Sequence, residues 1–214
     1  MKYELTNETK IIGFTTLYRI QALRDGHSFN KGDLGGFIEK VENLSQSGEC
    51  WVSEDARVSG NARVSEDARV SGNARVYGDA RVYGDAWVSG DAYVYDNAQV
   101  SGNARVYEDA LVYGNALVYG DAQVSGNARV SGNALVHGDA RVSKSPKYFD
   151  LQIGGRPIIV TDYPINIGCE QHSLEHWLKN YKEIGKKNGY SKENIKVYGV
   201  MLKTIKVILA SADK

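Results

Sequence analysis

VSGNAR, at residues 70–75, is one copy of the six-residue unit that decides the fold of this chain. Sixteen valines recur at intervals of six from Val52 to Val142 without a miss. An alanine lies four residues after each of the first fifteen valines, from Ala56 to Ala140, and the residue before it is always Asn or Asp. A strict period of this length predicts a stacked, repetitive architecture.

A period of six fits neither a helix, whose apolar spacing is near 3.6, nor a flat strand, whose spacing is two. It fits a strand of about three residues followed by a corner. Val76 then points one way while Arg75 and Tyr77 point the other. Gly accepts positive φ without steric cost, Asn and Asp are the next most tolerant residues, and Ala is small enough for the inside of a turn. The unit therefore predicts short strands that share a valine interior.

The array resembles the hexapeptide-repeat family of left-handed β-helices, whose pattern is an aliphatic residue, two turn-type residues and a small residue. The resemblance covers Val52 to Val142 and implies triangular coils of three hexapeptides. Fifteen hexapeptides then make five coils, with residues 46–51 as a degenerate unit before them. At the strand spacing of ~4.8 Å, five coils stand roughly 24 Å tall. The left-handed coiling is implied by the resemblance alone.

Three segments are expected: an N-terminal β cap at 1–45, the hexapeptide β-helix at 46–143, and a C-terminal strand-plus-two-helix segment at 144–214. The fold class is therefore mainly β, a left-handed parallel β-helix of about five coils with a segment at each end. In the cap, residues 2–5 and 15–23 are predicted strands, and 32–36 is a predicted turn. That turn lacks the Lys-Ser/Thr of a phosphate loop, so a cap is the better interpretation.

The C-terminal segment predicts a hairpin, of residues 149–153 and 157–160, around Gly154-Gly155. The segment Cys169-Glu170-Gln171-His172 is interpreted as a turn that leads into a helix, with a ligand pocket as the alternative. Ser173 is a good N-cap for this helix, which we expect from Leu174 to about Lys187. A second, amphipathic helix is expected from Ser191 to about Ala210.

Composition narrows the functional classes. The formal net charge is zero, which argues against binding of a nucleic-acid polymer. We expect no membrane span and a cytoplasmic location, because no signal peptide or long apolar run is visible.

The two cysteines do not make a disulfide framework. Cys50 falls at the small, inward position that Ala occupies in later repeats, so burial explains it.

Sorting the outward residues by eighteen gives three faces, two of which carry aromatic and aliphatic patches. A monomer seldom exposes such patches without a use. The resemblance implies three-fold trimers that pack side to side, so the predicted partner is a second and third copy of the chain. The predicted interface residues are Tyr77, Tyr93, Tyr95, Leu111, Tyr113, Leu117, Tyr119 and Leu135.

Arginine occupies five consecutive outward positions, and these alternate among the three faces. We expect the neighbouring acids, such as Glu54 and Asp55, to neutralise the charge of these arginines. The alternative is anion capture in a groove between subunits, because Arg suits phosphate. The five positions are Arg57, Arg63, Arg69, Arg75 and Arg81.

The tail offers a second candidate site. Cys169 and His172 could ligate a metal or form a nucleophile pair, but no second Cys pair supports either, so no metal or catalytic residue is predicted. A ligand pocket is the other interpretation, with aromatic side chains, a cation and the free N–H groups of the helix start. Packing beneath the cap would equally explain His172 and Trp177. The predicted ligand-binding residues are Arg156, Cys169, His172, Trp177 and Tyr181, together with His137 on a coil.

The whole chain resembles an uncharacterised group of phage and prophage proteins, through TLYRI at 16–20, KGDLGG at 31–36, NLS at 43–45, and IGC at 167–169 with His172 and Trp177. The resemblance implies a phage origin and brings no established chemistry. Three functions stay open. The first is a non-enzymatic trimer that sequesters a small anion, such as a host nucleotide immune signal, without a cofactor. The second is an acyl-CoA-dependent acyltransferase with His137 as base. The third is a structural or virion-associated trimer.

Overall fold

The computed structural model describes residues 1–143, 151–153, 156–159, 165–167 and 170–211. The chain divides into two compact units, Met1–Ser145 and Pro146–Lys214. The N-terminal segment therefore lies in the same unit as the repeats. The boundary between the units is two residues after the end that we predicted for the β-helix.

The first unit starts with three longer strands, β1 (Tyr3–Ile12), β2 (Thr15–Ala22) and β3 (Leu34–Ile38), and a 3-10 helix at Val41–Asn43. Sixteen two-residue strands follow, and each ends on a valine of the repeat. They are β4 (Trp51–Val52), β5 (Arg57–Val58), β6 (Arg63–Val64), β7 (Arg69–Val70), β8 (Arg75–Val76), β9 (Arg81–Val82), β10 (Trp87–Val88), β11 (Tyr93–Val94), β12 (Gln99–Val100), β13 (Arg105–Val106), β14 (Leu111–Val112), β15 (Leu117–Val118), β16 (Gln123–Val124), β17 (Arg129–Val130), β18 (Leu135–Val136) and β19 (Arg141–Val142).

These short strands form three parallel sheets, as the hexapeptide pattern predicts. Sheet A runs β1-β2-β3-β5-β8-β11-β14-β17, sheet B runs β6-β9-β12-β15-β18, and sheet C runs β4-β7-β10-β13-β16-β19. Val88 pairs with Val106, eighteen residues on, and the same step recurs in each sheet. Three hexapeptides therefore make one coil, and the expectation of a parallel β-helix with a predominantly β chain is confirmed.

The β-helix has about six coils, one more than the five that the repeat predicts. Ile38 pairs with Val58, and Leu44 forms a bridge with Val64, so these two residues take valine positions in a first, irregular coil. Val52 completes that coil by pairing with Val70. The step from Leu44 to Val52 is eight residues instead of six, which is why the strict period hides this coil.

The valines and alanines of the array line a common interior, as predicted. All sixteen valines and all fifteen alanines are at most 2% exposed. A fully buried Val contributes roughly 1.5–3 kcal/mol before the loss of conformational entropy. Because each coil contacts its neighbours alone, this stabilisation is spread along the stack.

The corners use the left-handed backbone region, where Gly fits best. Four repeats have an acidic residue there instead, and in each case its carboxylate accepts a hydrogen bond from the backbone N–H of the glycine eighteen residues later. The pairs are Glu54 with Gly72 (2.6 Å), Glu66 with Gly84 (2.7 Å), Asp96 with Gly114 (3.2 Å) and Glu108 with Gly126 (2.6 Å).

The N-terminal strands extend sheet A and cap the first coil. β3 pairs antiparallel with β2 and parallel with β5. The predicted turn at 32–36 is wrong in its second half, because Leu34 already starts β3. A Cβ on Gly36 would lie 2.6 Å from the Ala56 carbonyl oxygen, so the absence of a side chain permits close packing against the next coil.

The described residues of the second unit form four antiparallel strands, β20 (Leu151–Ile153), β21 (Arg156–Ile159), β22 (Ile165–Ile167) and β23 (Glu170–His172), and two helices, α1 (Leu174–Lys187) and α2 (Lys192–Ser211). Leu151 pairs with Ile158, so the predicted hairpin is confirmed, while its turn at Gly154-Gly155 lies outside the described residues.

The two helices lie within one residue of their predicted bounds. Ser173 caps α1 by accepting a hydrogen bond from the His176 backbone N–H at 3.1 Å. The interpretation of Cys169-Glu170-Gln171-His172 as a turn is wrong from Glu170 onward, because Glu170–His172 is a strand that pairs with Ile165–Ile167, while Cys169 lies outside the described residues. No helix within the described part of the chain is long and apolar enough to cross a membrane.

Candidate functional site

A ladder of stacked tyrosines runs along the outer surface of sheet A. The rings of Tyr77 and Tyr95 have centroids 5.0 Å apart, those of Tyr95 and Tyr113 are 4.9 Å apart, and both pairs are inclined by 1°. Each of these tyrosines directly follows a strand of sheet A, and successive ones are eighteen residues apart. Their rings therefore lie in register from coil to coil. Burial, followed by the neighbouring ring hydroxyl, raises the pKa of Tyr77 and of Tyr95 above its ordinary value.

The structure places the predicted interface residues on two of the three faces. Tyr93 and Leu111 are paired neighbours on sheet A, beside the tyrosine ladder. Leu117 and Leu135 are paired neighbours on sheet B, and Tyr119 lies on the same face. Tyr119 is exposed and the other seven side chains are half-buried. Each face therefore carries a contiguous patch, while self-association stays a prediction.

His137 belongs to the patch on sheet B. Its ring stacks on that of Tyr119, with centroids 5.3 Å apart and an inclination of 18°. This is the same coil-to-coil stacking that the tyrosine ladder shows, one face away. The stacking gives His137 a packing role whether or not it also contacts a ligand.

The arginines of the array are not neutralised by ion pairs, contrary to expectation. Across the described residues the salt bridges involve Lys10, Arg19, Arg24 and His172, and none involves an arginine of the repeats. The reason is that the corner acids at 54 and 66 bind backbone N–H groups of the next coil instead. Within the described residues these guanidinium groups therefore have no carboxylate at ion-pairing distance, although Arg57 still attracts the Asp55 carboxylate, whose pKa is lowered first by Lys10 and also by Arg57.

Two of these arginines line a cavity of about 250 Å³ between the β1–β2 hairpin and the outer surface of sheet A. Arg57 and Arg75 are direct strand neighbours. The Nε atom of Arg57 is buried without a hydrogen-bond partner. The Arg75 guanidinium lies over the Tyr93 ring, 4.9 Å from its centroid. The lining residues are Ile12, Thr15, Leu17, Arg57, Ser59, Arg75, Val76, Tyr77 and Tyr93.

The hairpin that forms one wall of this cavity ends in an apolar tip. Ile11 is 74% exposed, and Phe14 is fully exposed. Ile12, next to this tip, and Tyr77, the first ring of the tyrosine ladder, both line the cavity. We did not predict this cavity from the sequence, although the apolar turn IIGF at 11–14 was its one local sign.

Of the tail residues that we predicted to bind a ligand, Trp177 and Tyr181 pack in the apolar cluster of the second unit. Trp177 is 2% exposed, and its indole N–H donates to the Ile165 carbonyl oxygen at 2.7 Å. Tyr181 packs against the same apolar cluster. Arg156 begins β21, and Cys169 lies outside the described residues.

His172 lies beside a carboxylate and a second histidine. Its Nε2 atom is 3.0 Å from Glu170, and its ring stacks on that of His176 with centroids 4.3 Å apart. The hydrogen bond from Asn188, and then that from His172, holds the pKa of Glu170 below its ordinary value. Within the described ranges, no group of three or more His, Cys, Asp or Glu side chains is arranged to hold a metal ion.

Comparison with known proteins agrees with this architecture. The family model of the YdcK β-solenoid repeat matches seven stretches of the array, in two overlapping groups, at residues 56–72, 68–84 and 74–90, and at 98–113, 110–124, 122–138 and 128–145. Their starting residues differ by multiples of six, which is the period of the valines. No match was found among curated proteins. Fold and comparison together define a repeat β-helix protein.

Proposed function

We propose that the chain is a non-enzymatic binding protein of phage or prophage type, which forms a trimer and holds a small aromatic anion of the nucleotide class. Sequestration of a host nucleotide signal is the use that fits such a binder. The observation that carries the proposal is the cavity on sheet A, where Arg57 and Arg75 lie side by side and no carboxylate is among the lining residues. The cavity residues replace the tail as the main candidate site.

Electrostatics supports an anionic ligand. Adjacent parallel strands are ~4.8 Å apart, so two guanidinium groups in register repel each other. A phosphate between them would relieve that repulsion and accept two-pronged hydrogen bonds from the planar donors. It would also give a partner to the buried Nε of Arg57, which otherwise bears the penalty of an unsatisfied donor.

The aromatic residues support a ligand with a flat ring. Tyr77 and Tyr93 line the same cavity as the arginines, and Tyr77 is the first ring of the ladder. A base stacked on an aromatic side chain gains ~1–3 kcal/mol, and this gain does not depend on base identity. Ser59 and Thr15 add hydroxyl groups that can donate to a sugar or phosphate oxygen.

The composition of the cavity favours binding over catalysis. Its nine lining residues include no His, Cys, Asp or Glu, so the site has no group suited to general acid–base work near neutral pH. The uninterrupted array also lacks an inserted loop, which the resemblance associates with the acceptor site of acyltransferases. These features make the acyl-CoA alternative the weaker proposal.

The assembly proposal depends on the two apolar patches. Patches on sheets A and B face different directions on one prism, as a ring of three identical copies requires for head-to-tail contacts. The cavity lies on the same sheet as the tyrosine ladder, so a neighbouring copy could cover a bound ligand. A structural trimer without a ligand would use the same surfaces.

Isothermal titration calorimetry with nucleoside mono-, di- and cyclic phosphates tests the proposal, with coenzyme A and inorganic phosphate as comparison ligands. We expect micromolar or tighter binding of at least one nucleotide. Arg75→Gln should weaken it about 10–100-fold, because a charge-assisted hydrogen bond contributes ~1.5–3 kcal/mol. Arg69→Gln, on sheet C, is the matched control and should bind like the wild type.

Two results would overturn the proposal. One is the absence of nucleotide binding at micromolar concentrations, and the other is an equal loss of affinity in the Arg69 and Arg75 variants. Binding of coenzyme A alone, with acyl transfer that depends on His137, would favour the acyltransferase instead. Detection of the chain in purified virions without ligand would favour the structural trimer.

A further inference from the structure

Lys2 and Cys50 form a buried pair at the N-terminal end of the β-helix interior. Lys2 is 1% exposed and Cys50 is 0% exposed. The Lys2 Nζ atom lies 3.0 Å from the Cys50 sulfur and donates to the Cys50 carbonyl oxygen at 2.7 Å. A further carbonyl, that of Ser47, is 3.5 Å away. No carboxylate pairs with this amine among the described residues.

The surrounding contacts fix the amine against the thiol. Gln46 accepts a hydrogen bond from the Lys2 backbone N–H at 2.7 Å and donates to the Tyr3 carbonyl oxygen at 3.1 Å. The Tyr3 hydroxyl, itself buried, donates to the Leu44 carbonyl oxygen at 2.7 Å. The first residues of β1 are therefore anchored in the first coil, and the nitrogen–sulfur distance is set by a rigid frame.

Packing alone does not require these two residue types. Cys50 takes the inward position that Ala occupies in all fifteen later repeats, so a methyl group would fill it. A buried ammonium without an opposite charge is costly, because carbonyl dipoles replace its hydration incompletely. A covalent product that removes this charge would therefore be favoured.

We propose that Lys2 and Cys50 are a site of oxidative modification, at which dioxygen joins the two side chains through one oxygen atom as an Nζ–O–Sγ bridge. After the ammonium releases a proton to solvent, the balanced step is R–NH2 + R′–SH + O2 → R–NH–O–S–R′ + H2O. One N–H and the S–H bond break, N–O and O–S bonds form, and the second oxygen atom leaves as water. Nitrogen and sulfur each lose two electrons, and dioxygen gains four.

The bridge links the start of β1 to the first coil and closes a loop from residue 2 to residue 50. Such a crosslink restricts the unfolded chain in the way that a disulfide does. Its formation is slow, because burial raises the pKa of the Cys50 thiol and limits access of the oxidant, while the hydrogen bond from Lys2 opposes that rise. The bridge is thus a slowly formed, reducible crosslink between the start of the N-terminal strand and the first coil.

Intact-protein and peptide mass spectrometry of the full chain, kept either under air or without oxygen, tests this inference. We expect an aerobic species that gains one oxygen atom, loses two hydrogen atoms and reverts with dithiothreitol. Its thermal midpoint should rise by about 5–10 °C, on the scale of a disulfide that closes a similar loop. Cys50→Ala, which copies the later repeats, and Lys2→Gln should both abolish it, whereas Cys169→Ala should retain it.

Persistence of the mass change in Cys50→Ala or in Lys2→Gln would overturn the inference. So would loss of two hydrogen atoms without added oxygen, which indicates a sulfenamide or a disulfide, or the absence of any change after prolonged aeration. Nucleotide calorimetry on the Cys50→Ala variant separates this site from the cavity on sheet A, since binding there should be unchanged.

Discussion

The carboxylate of Glu54 accepts a hydrogen bond from the backbone N–H of Gly72, one coil further along, at 2.6 Å. Glu54 itself has a φ of 58°, a conformation that L residues other than Asn and Asp rarely adopt. The hydrogen bond offsets that strain, because it joins the strained corner to the corner above it. The acid is therefore a structural replacement for glycine.

Replacement of Glu54 by Ala should destabilise the β-helix by about 1–2 kcal/mol, because it keeps the strained backbone and removes the hydrogen bond. Glu54→Gly loses the hydrogen bond and relieves the strain, so its free energy of unfolding should stay within about 1 kcal/mol of wild type. Urea denaturation measures both. Asp85→Ala, at an exposed corner without positive φ, is the control. Equal destabilisation by Ala and Gly would contradict the strain argument.

Val94→Asp should unfold the coils next to it and leave distant coils protected. Val94 is 0% exposed, and a buried carboxylate has no partner in the valine interior. Because stability is a sum over neighbouring coils, the damage should stay local. Hydrogen exchange followed by mass spectrometry checks this, and a uniform loss of protection from residue 38 to 142 would be the contrary result.

Tyr95→Glu and Leu117→Glu should each reduce the mass of the assembly toward that of a monomer. Each change places a charge in an apolar patch that we propose as a subunit contact, on sheets A and B respectively. Native mass spectrometry and light scattering give the mass. Gln123→Glu, a half-buried outward position on sheet C, is the matched control and should keep the wild-type mass. If all three variants match the wild type, the proposed interface is wrong.

The segment near His27 should loosen in acid. The hydrogen bond from Arg24 at 2.9 Å, and further that from the His27 backbone N–H at 3.2 Å, holds the pKa of Glu49 below its ordinary value of 4.5. Because the folded-state pKa is depressed, the stabilisation that the ionised Glu49 carboxylate contributes is complete above pH 4.5. It is lost as the pH falls through the lower, folded-state value. The His27 amide resonance should therefore shift in NMR spectra below pH 4.5, and Glu49→Gln should remove that transition.

The regular part of the fold was predictable because its cause is local. Each valine, corner and alanine repeats at a fixed step, so the sequence alone indicates which side chains face inward. The cap at Ser173 and the apolar spacing of Tyr198, Leu202 and Ile205 likewise predict the helices, because both features act within a few turns.

The first coil and the cavity were not predictable, because they depend on distant pairings. Ile38 takes a valine position only when β3 is placed beside β5, and the eight-residue step to Val52 conceals the register. The pairing of β3 with β5 also places the β1–β2 hairpin beside Arg57 and Arg75, where it forms one wall of the cavity. The acids near the arginines were expected to bind them, and the backbone N–H groups eighteen residues away could be identified as their partners only in three dimensions.

The step of eighteen residues also limits how such a chain can change in length. Insertion of six residues between Val88 and Tyr93 would transfer Tyr95 to another side of the prism and separate it from Tyr77. Insertion of eighteen would keep every side chain on its own side and lengthen the prism by ~4.8 Å. The β-helix can therefore gain or lose whole coils of eighteen residues without change to its surfaces. An insertion or deletion of one or two hexapeptides would move every later side chain to a different face.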